Sequence, residues 1–361
     1  MDVVQNYKCP CCTAPLVFDA ERQELICESC ENTFPLETME QFAESEQGSG
    51  APSKYDWETY VPRNYEDTGG VNLANYSCPS CGAEIQGDDT LGSTACPYCG
   101  NSTIVKGQFE GTLRPDYIIP FKFNKKAAIE AFEKDFKNAP FMPDEFKSKK
   151  KIEEMAGVYV PFWMFDCDCE AAVSYMAERV TAWSDSNYNY TKTDFYKLYR
   201  QGQISYANIP VDGSKKADDT YMEAVEPFNY NDAVEFNGAY LSGYLADKYD
   251  VTADESVERA NERVKNSTIE AFRDTTDHYT AVIPDSERVE FENGKIRYSL
   301  LPVWMLNIKY KDQMYKFAIN GQTGKVVGEY PVDKNKKWKY FWKVAGVCYV
   351  VAAAIGWMLL H

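Results

Sequence analysis

Histidine is nearly missing from this 361-residue chain: there are two, His278 and His361. That scarcity excludes Ser-His-Asp triads and HExxH zinc hydrolases, which need imidazole at fixed places. No GxxxxGK[ST] string occurs, so there is no Walker-type nucleotide site. The string 321-GQTGK-325 holds a GK without the spacing. The opening MDVVQNYKCP lacks the basic and apolar stretches of a signal peptide. Positive charge is also short. Lys and Arg total 38 against 55 Asp and Glu, a formal charge of −17. A field of that sign repels nucleic acid phosphates unless a local basic patch overrides it. The one dense basic run is 334-KNKKWK-339. Acids are plentiful, but no spacing singles out a catalytic pair. No catalytic residue, cofactor-binding residue or small-molecule substrate follows, and a non-enzymatic role is the expectation.

Cysteine, by contrast, is abundant and ordered. There are 12, and eight form a repeat. Cys9-x-x-Cys12 precedes Cys27-x-x-Cys30, and Cys78-x-x-Cys81 precedes Cys96-x-x-Cys99, with the same spacing throughout. Tyr7/Tyr76, Pro10/Pro79, Ala14/Ala83 and Asn32/Asn101 align at the same offset. Two Cys-x-x-Cys turns joined by a hairpin bring four thiolates around one ion. Their softness and geometry favour Zn2+, two ions in all, with iron as the minor alternative. Paired disulfides suit a secreted protein better than this pattern. A closed four-thiolate shell has no open position for water, so such a site is structural rather than catalytic. Gly82 and Gly100 follow the second Cys of each pair in the later module, where a tight knuckle needs positive φ. The earlier module has Thr13 and Glu31 there. Cys11 sits between two ligands and reads as a spectator thiol. Cys167 and Cys169 lie two apart on a predicted strand, share a face, and read as buried free thiols.

The chain divides, on this reading, into zinc ribbon 1 (1–35), an acidic flexible linker (36–70), zinc ribbon 2 (71–107) and a globular domain (108–333). A basic segment (334–343) and an apolar helix (344–360) follow. The linker expectation rests on QGSGAPS set among acids. Within the globular domain a helix is predicted near 125–137, with Asn124 as its N-cap and Ile129, Phe132 and Phe136 on one face. A second helix spans about 253–273, opened by a Thr252/Glu255 capping box, with Val257, Ala260, Val264 and Ala271 as its apolar stripe. The run 158-VYVPFWMFDCDCEAAVSYM-176 reads as strands. Residues 287–332 read as an antiparallel meander with turns at Asn293-Gly294, Lys311-Asp312, Asn320-Gly321 and Thr323-Gly324. The strings 160-VPFWMFD-166 and 301-LPVWMLN-307 echo one another, as a duplicated half-domain would. The fold class is therefore α+β: two small four-cysteine ribbons and a β-rich domain with flanking helices.

Residues 344–360 are 17 in a row without a charge. At 1.5 Å per residue they reach roughly 26 Å, against a bilayer core of about 30 Å. Flanking Tyr340, Trp342 and Trp357, with Lys334, Lys336, Lys337, Lys339 and Lys343 on the N-terminal side, read as a transmembrane helix. The expectation is a tail-anchored, single-pass protein of the cell membrane, its bulk in the cytoplasm and its lysines on anionic lipid.

The paired cysteine modules, VPFWMFD, LPVWMLNIKYKDQMYKFAINGQTGKVVGEYPV and the terminal helix resemble a bacterial family of TFIIB-type zinc-ribbon-containing membrane proteins. Some members carry the label of a primosomal replication-restart helicase, whose motor this chain lacks. The final hairpin also resembles a PepSY-type unit. Relatives in Firmicutes lie beside phage-shock-protein-A-like and flotillin-like SPFH proteins. The resemblance therefore implies an adaptor that binds protein partners of that kind at the cytoplasmic face of the membrane, in envelope stress or membrane-protein recruitment. Two alternatives stay open. A nucleic-acid-binding ribbon protein must overcome Asp19, Glu21, Glu24, Glu28 and Glu31, which surround Lys8 and Arg22. A thiol redox or metal sensor would use Cys11, Cys167 or Cys169.

Overall fold

The computed structural model describes residues 7–10, 14–20, 22–40, 53–63, 73–88, 95–101, 105–107, 114–136, 139, 141–143, 146, 152, 154–311 and 313–360. In chain order the strands begin with β1 (Val17–Asp19), β2 (Glu24–Ile26), β3 (Thr33–Pro35), β4 (Lys54–Trp57), β5 (Leu73–Ser77), β6 (Glu84–Asp88) and β7 (Val105–Gly107). Then come β8 (Tyr117–Ile118), helix α1 (Lys125–Phe136), β9 (Ala156–Ser184), β10 (Asn189–Asp212), α2 (Asp219–Val225), β11 (Val234–Glu235) and β12 (Leu245–Asp247). The chain continues through α3 (Ala253–Arg273), β13 (Ala281–Tyr310), β14 (Gln313–Asn320), β15 (Val326–Gly328) and α4 (Lys334–Leu360). β1, β2 and β3 make a small antiparallel sheet of their own. The other strands join one large sheet, with β11-β8-β13-β9-β12-β6-β5-β7 as its spine.

Two units emerge. The first takes Met1–Tyr60, Met164–Val211 and Val257–Ile296; the second takes Val61–Trp163, Asp212–Ser256 and Arg297–His361. In the first unit α3 packs on the sheet, but not by the whole expected stripe: Ala260 and Val264 are buried, whereas Ala271 is exposed and Phe272 takes its place. Val264 and Phe272 meet Cys167, Cys169, Val173 and Tyr175 of β9 and Phe291 of β13. The helix starts where its capping box stands. Thr252 Oγ1 accepts from Glu255 N at 3.2 Å, and Glu255 Oε2 accepts from Thr252 N at 2.7 Å. In the second unit, α1 starts at the Asn124 cap, whose Oδ1 accepts from Ala127 N at 2.9 Å. It buries Ala128 and Phe132 against Trp304, Leu306, Phe317 and Ile319. The echoing motifs also correspond in structure. Trp163 of β9 and Trp304 of β13 are buried, and their Nε1 atoms donate to the carbonyls of Val251 and Phe123. The indole thus fills the core without leaving its one donor unpaired.

The meander forms over β13, β14 and β15. β13 turns into β14 at Lys311, with Tyr310 opposite Gln313, and Asn320-Gly321 through Thr323-Gly324 turn β14 into β15. The Asn293-Gly294 hairpin turn is not there: both residues lie inside the single long strand β13. Asn293 does take the left-handed φ of 54° that its sequence suggests, but spends it on a bulge. The register with the parallel neighbour β4 shifts between Phe291 and Gly294. Asn293 Nδ2 donates to Asp168 Oδ2 at 3.0 Å, and β4 passes so close that a Cβ on Gly294 would lie 2.3 Å from the Asp56 carbonyl oxygen. Part of the 36–70 segment that reads as a tether is therefore a strand of the large sheet.

The C-terminal run forms α4, but among the described residues no helix is long and apolar enough to cross a membrane. This overturns both the expected transmembrane helix and the single-pass membrane localisation. The first ten residues of α4 carry five lysines, and Gly346, Gly356, Tyr349 and Trp357 dilute an apolar stretch already shorter than a bilayer core. The lysine-rich turn has local partners instead. Asp333 caps it, accepting from Asn335 N at 2.8 Å, and Lys336 Nζ donates to the Met142 carbonyl at 2.8 Å.

The close passage of β4 gives a direct test. Gly294→Ala should cost about 1–3 kcal/mol of stability, read as a lower denaturation midpoint. An unchanged midpoint would show that β4 is not held against the bulge.

Candidate metal centres

Each ribbon builds its ligands from turns. In ribbon 2, Cys78 and Cys81 sit in the turn between β5 and β6, and Gly82 N returns to the Cys78 carbonyl at 2.8 Å. The second turn repeats the device with Gly100 N and the Cys96 carbonyl, also at 2.8 Å. These bonds require the residue after each pair to be left-handed, and φ is 70° at Gly82 and 72° at Gly100. In ribbon 1, Glu31 makes the same bond to Cys27 and is forced to a φ of 60° with a full side chain.

The four sulfurs of Cys78, Cys81, Cys96 and Cys99 lie within 4.8 Å of one another, as do those of Cys9, Cys27 and Cys30. Cys11, Cys12 and Thr13 lie outside the described residues. Sulfur pairs stand 3.5 Å (Cys9/Cys30), 3.6 Å (Cys78/Cys99) and 3.7 Å (Cys81/Cys96) apart. A disulfide needs about 2.05 Å. A tetrahedron with metal–sulfur bonds of about 2.3 Å has edges of about 3.8 Å. The sulfurs are therefore set for a shared ion. Backbone amides favour the thiolate form. The Asn32 amide, outweighing desolvation, helps lower the Cys30 thiol to about 6. At Cys78 burial pushes the thiol up, but the amides of Cys81 and Ser80 outweigh it and bring it to about 7. Burial raises Cys81 and Cys96, and a bound cation reverses that preference. Both clusters fit a metal ion, and an all-sulfur donor set is consistent with zinc.

The two ribbons differ in how they are held. Ribbon 1 forms a sheet that, among the described residues, shares no strand with the large one. Ribbon 2 is built into the second unit. Its strand β6 pairs with β12, Asp247 opposite Ile85, and β12 runs parallel to β9. Sequence reasoning missed the bond that fixes this arrangement. Tyr98, between Cys96 and Cys99, is buried and donates its hydroxyl to Asp247 Oδ2 at 2.5 Å. Ser214 Oγ donates to the same oxygen at 2.6 Å. Burial raises the Asp247 carboxyl to about 6 despite both donors, and burial together with the Asp247 charge keeps the Tyr98 proton in place. Asn307 Nδ2 donates to the Pro97 carbonyl at 2.6 Å, clamping the same turn. The signal lay in comparing CPYC with CESC: ribbon 1 has exposed Glu28 and Ser29 where ribbon 2 has Pro97 and Tyr98.

Cys167 and Cys169 are buried in the core under α3, far from thiolate chemistry. Burial pushes Cys167 up to about 12 and raises Cys169 as well.

Two substitutions separate these effects. Tyr98→Phe leaves the buried Asp247 carboxylate one donor short and should cost about 1–3 kcal/mol of stability without emptying the ribbon 2 site. Metal content and denaturation midpoint, measured on one sample, check both halves. Glu31→Gly should instead stabilise ribbon 1 by about 1 kcal/mol, because glycine takes positive φ without a Cβ clash. Slower loss of metal to a chelator is the expected readout.

Comparison with known proteins fits this picture. The family model described as Trm112p-like protein matches residues 8–37, the span of ribbon 1. No solved structure matches the chain. A protein of Bacillus subtilis (strain 168), titled uncharacterized protein YdjG, is 32% identical over 336 residues, covering 80% of this chain and 98% of the relative. At that identity and coverage, the chain belongs to the same family as YdjG.

Proposed function

We propose that the chain is a non-catalytic adaptor that binds protein partners through ribbon 1, with one zinc ion in each ribbon. The observation that supports this is the surface of ribbon 1. Val17 and Phe18 are 50% and 47% exposed on β1, and Leu36 follows β3 at 39%. Val17 and Phe18 project from opposite faces of β1, Phe18 beside Leu25 and Phe34 and Val17 beside Ile26, so each face of this small sheet keeps an exposed apolar side chain open to a partner. The module around them carries Asp19, Glu24, Glu28 and Glu31 against Lys8 and Arg22. Exposed apolar side chains on an acidic module suit a protein surface that offers apolar and basic residues together. They do not suit a phosphate backbone. Ribbon 2, whose knuckle is buried against the second unit, serves as part of the fold.

The metal in each ribbon supplies the folding energy that a module of this size cannot draw from a core, on the order of 10 kcal/mol. The closed thiolate shell offers no position for a substrate. Elemental analysis of the purified chain should give about two zinc ions per chain; a value near one would remove ribbon 1 from the proposal.

The binding surface is tested by affinity capture with full-length chain. Proteins recovered by the wild type should be lost with Val17→Asp/Phe18→Asp and kept with Tyr98→Phe. An identical set from all three would exclude ribbon 1 as the docking face. A titration against nucleic acid at low salt should show no binding.

A further inference from the structure

A second surface stands apart from the ribbons. β9 and β10 form a long hairpin whose tip is fixed by Asp185. Its side chain accepts from the amides of Asn187 and Tyr188, both at 2.8 Å, and from the Tyr190 hydroxyl at 2.9 Å. Trp183 and Tyr190 stack across the hairpin at 5.5 Å with their planes 13° apart. Residues 179–193 are exposed without interruption. Toward its base, β9 has a neighbour: Thr280 N donates to the Glu178 carbonyl at 2.7 Å. Among the described residues no strand other than β9 pairs with β10, although α3 engages its base, where Arg263 donates to the Pro210 carbonyl. A long open edge with exposed aromatics is a template for another strand, and folds usually cover or blunt such an edge.

The chemistry of the edge identifies its partner. The segment 190-YTKTDFY-196 is self-complementary about Thr193. An antiparallel copy centred there sets Lys192 opposite Asp194, Asp194 opposite Lys192, and Tyr190 opposite Tyr196. The other face pairs Thr193 with itself and Thr191 with Phe195. Opposite charges, aromatic pairs and Thr–Thr pairs are the cross-strand combinations that stabilise antiparallel sheets. Moving the centre by one residue sets Lys192 against Lys192 or Asp194 against Asp194, so the charges specify the register. The two side chains are already aligned on one face, with Lys192 Nζ 2.8 Å from Asp194 Oδ1. The geometry points to a dimer in which β10 of one copy pairs antiparallel with β10 of a second copy, about a two-fold axis at Thr193. Each strand then hydrogen-bonds an edge that no other described strand occupies, and the two hairpins become one four-stranded ribbon.

Sedimentation of the full-length, metal-loaded chain across a dilution series tests this. The wild type should move from a 41.1 kDa monomer to a dimer of twice that mass as concentration rises. Lys192→Asp sets acid against acid at both cross pairs and should weaken the dimer at least about 10-fold. Asp194→Lys should do the same with lysines. Lys192→Asp/Asp194→Lys restores opposite charges in the same register and should recover the wild-type dissociation constant. At concentrations where each is monomeric, all four proteins should keep nearly one denaturation midpoint, because Lys192 is exposed and Asp194 only half-buried. A wild type that stays monomeric throughout, or single variants as dimeric as the wild type, would overturn the proposal.

Discussion

The Tyr98–Asp247 hydrogen bond ties a metal site to a protein core. A buried carboxylate is costly unless donors surround it, and one of its donors stands between two cysteines of the cluster. The knuckle that presents Cys96 and Cys99 must therefore close correctly for Asp247 to be satisfied. Asp247 in turn lies on β12, which joins β6 of the ribbon to β9 of the second unit. A cysteine cluster that fits a metal ion, a buried polar pair and a strand ladder thus meet at one knuckle.

Ribbon 1 shows what the same cysteine spacing does without that bond. It has the knuckle hydrogen bonds and the sulfur cluster, but its ligand turn carries Glu28 and Ser29, and its sheet stands by itself among the described residues. Its apolar residues face outward at Val17 and Phe18. One repeat was absorbed into the fold and the other kept a surface. That asymmetry is the physical basis for the proposal that ribbon 1 binds partners while ribbon 2 serves the fold.

Much of this was legible in the sequence where the determinants are local. The caps of α1 and α3 rest on side chains three residues from the amides they satisfy, and Cys-x-x-Cys turns carry their geometry with them. The burial of Cys167 and Cys169 followed from strand alternation. Non-local pairing was not legible. Nothing in residues 84–88 or 245–247 announces that they lie side by side, and the short motif around Tyr98 gave no hint of Asp247. Asn293-Gly294 misled because an Asn-Gly pair supplies positive φ to a bulge as readily as to a hairpin turn. The terminal run misled because aromatics and lysines around an apolar stretch read as a membrane border, although the stretch is too short and too dilute.

The central claim is that one metal site belongs to the fold and the other to a surface. Amide hydrogen exchange on full-length chains with one ligand removed tests it most directly. Cys99→Ser should strip protection from β5, β6 and β12 in the second unit and leave ribbon 1 unchanged. Cys30→Ser should release residues 14–35 and nothing in the second unit. Equal loss across the second unit in both variants, or protection of β6 and β12 that survives Cys99→Ser, would contradict the account.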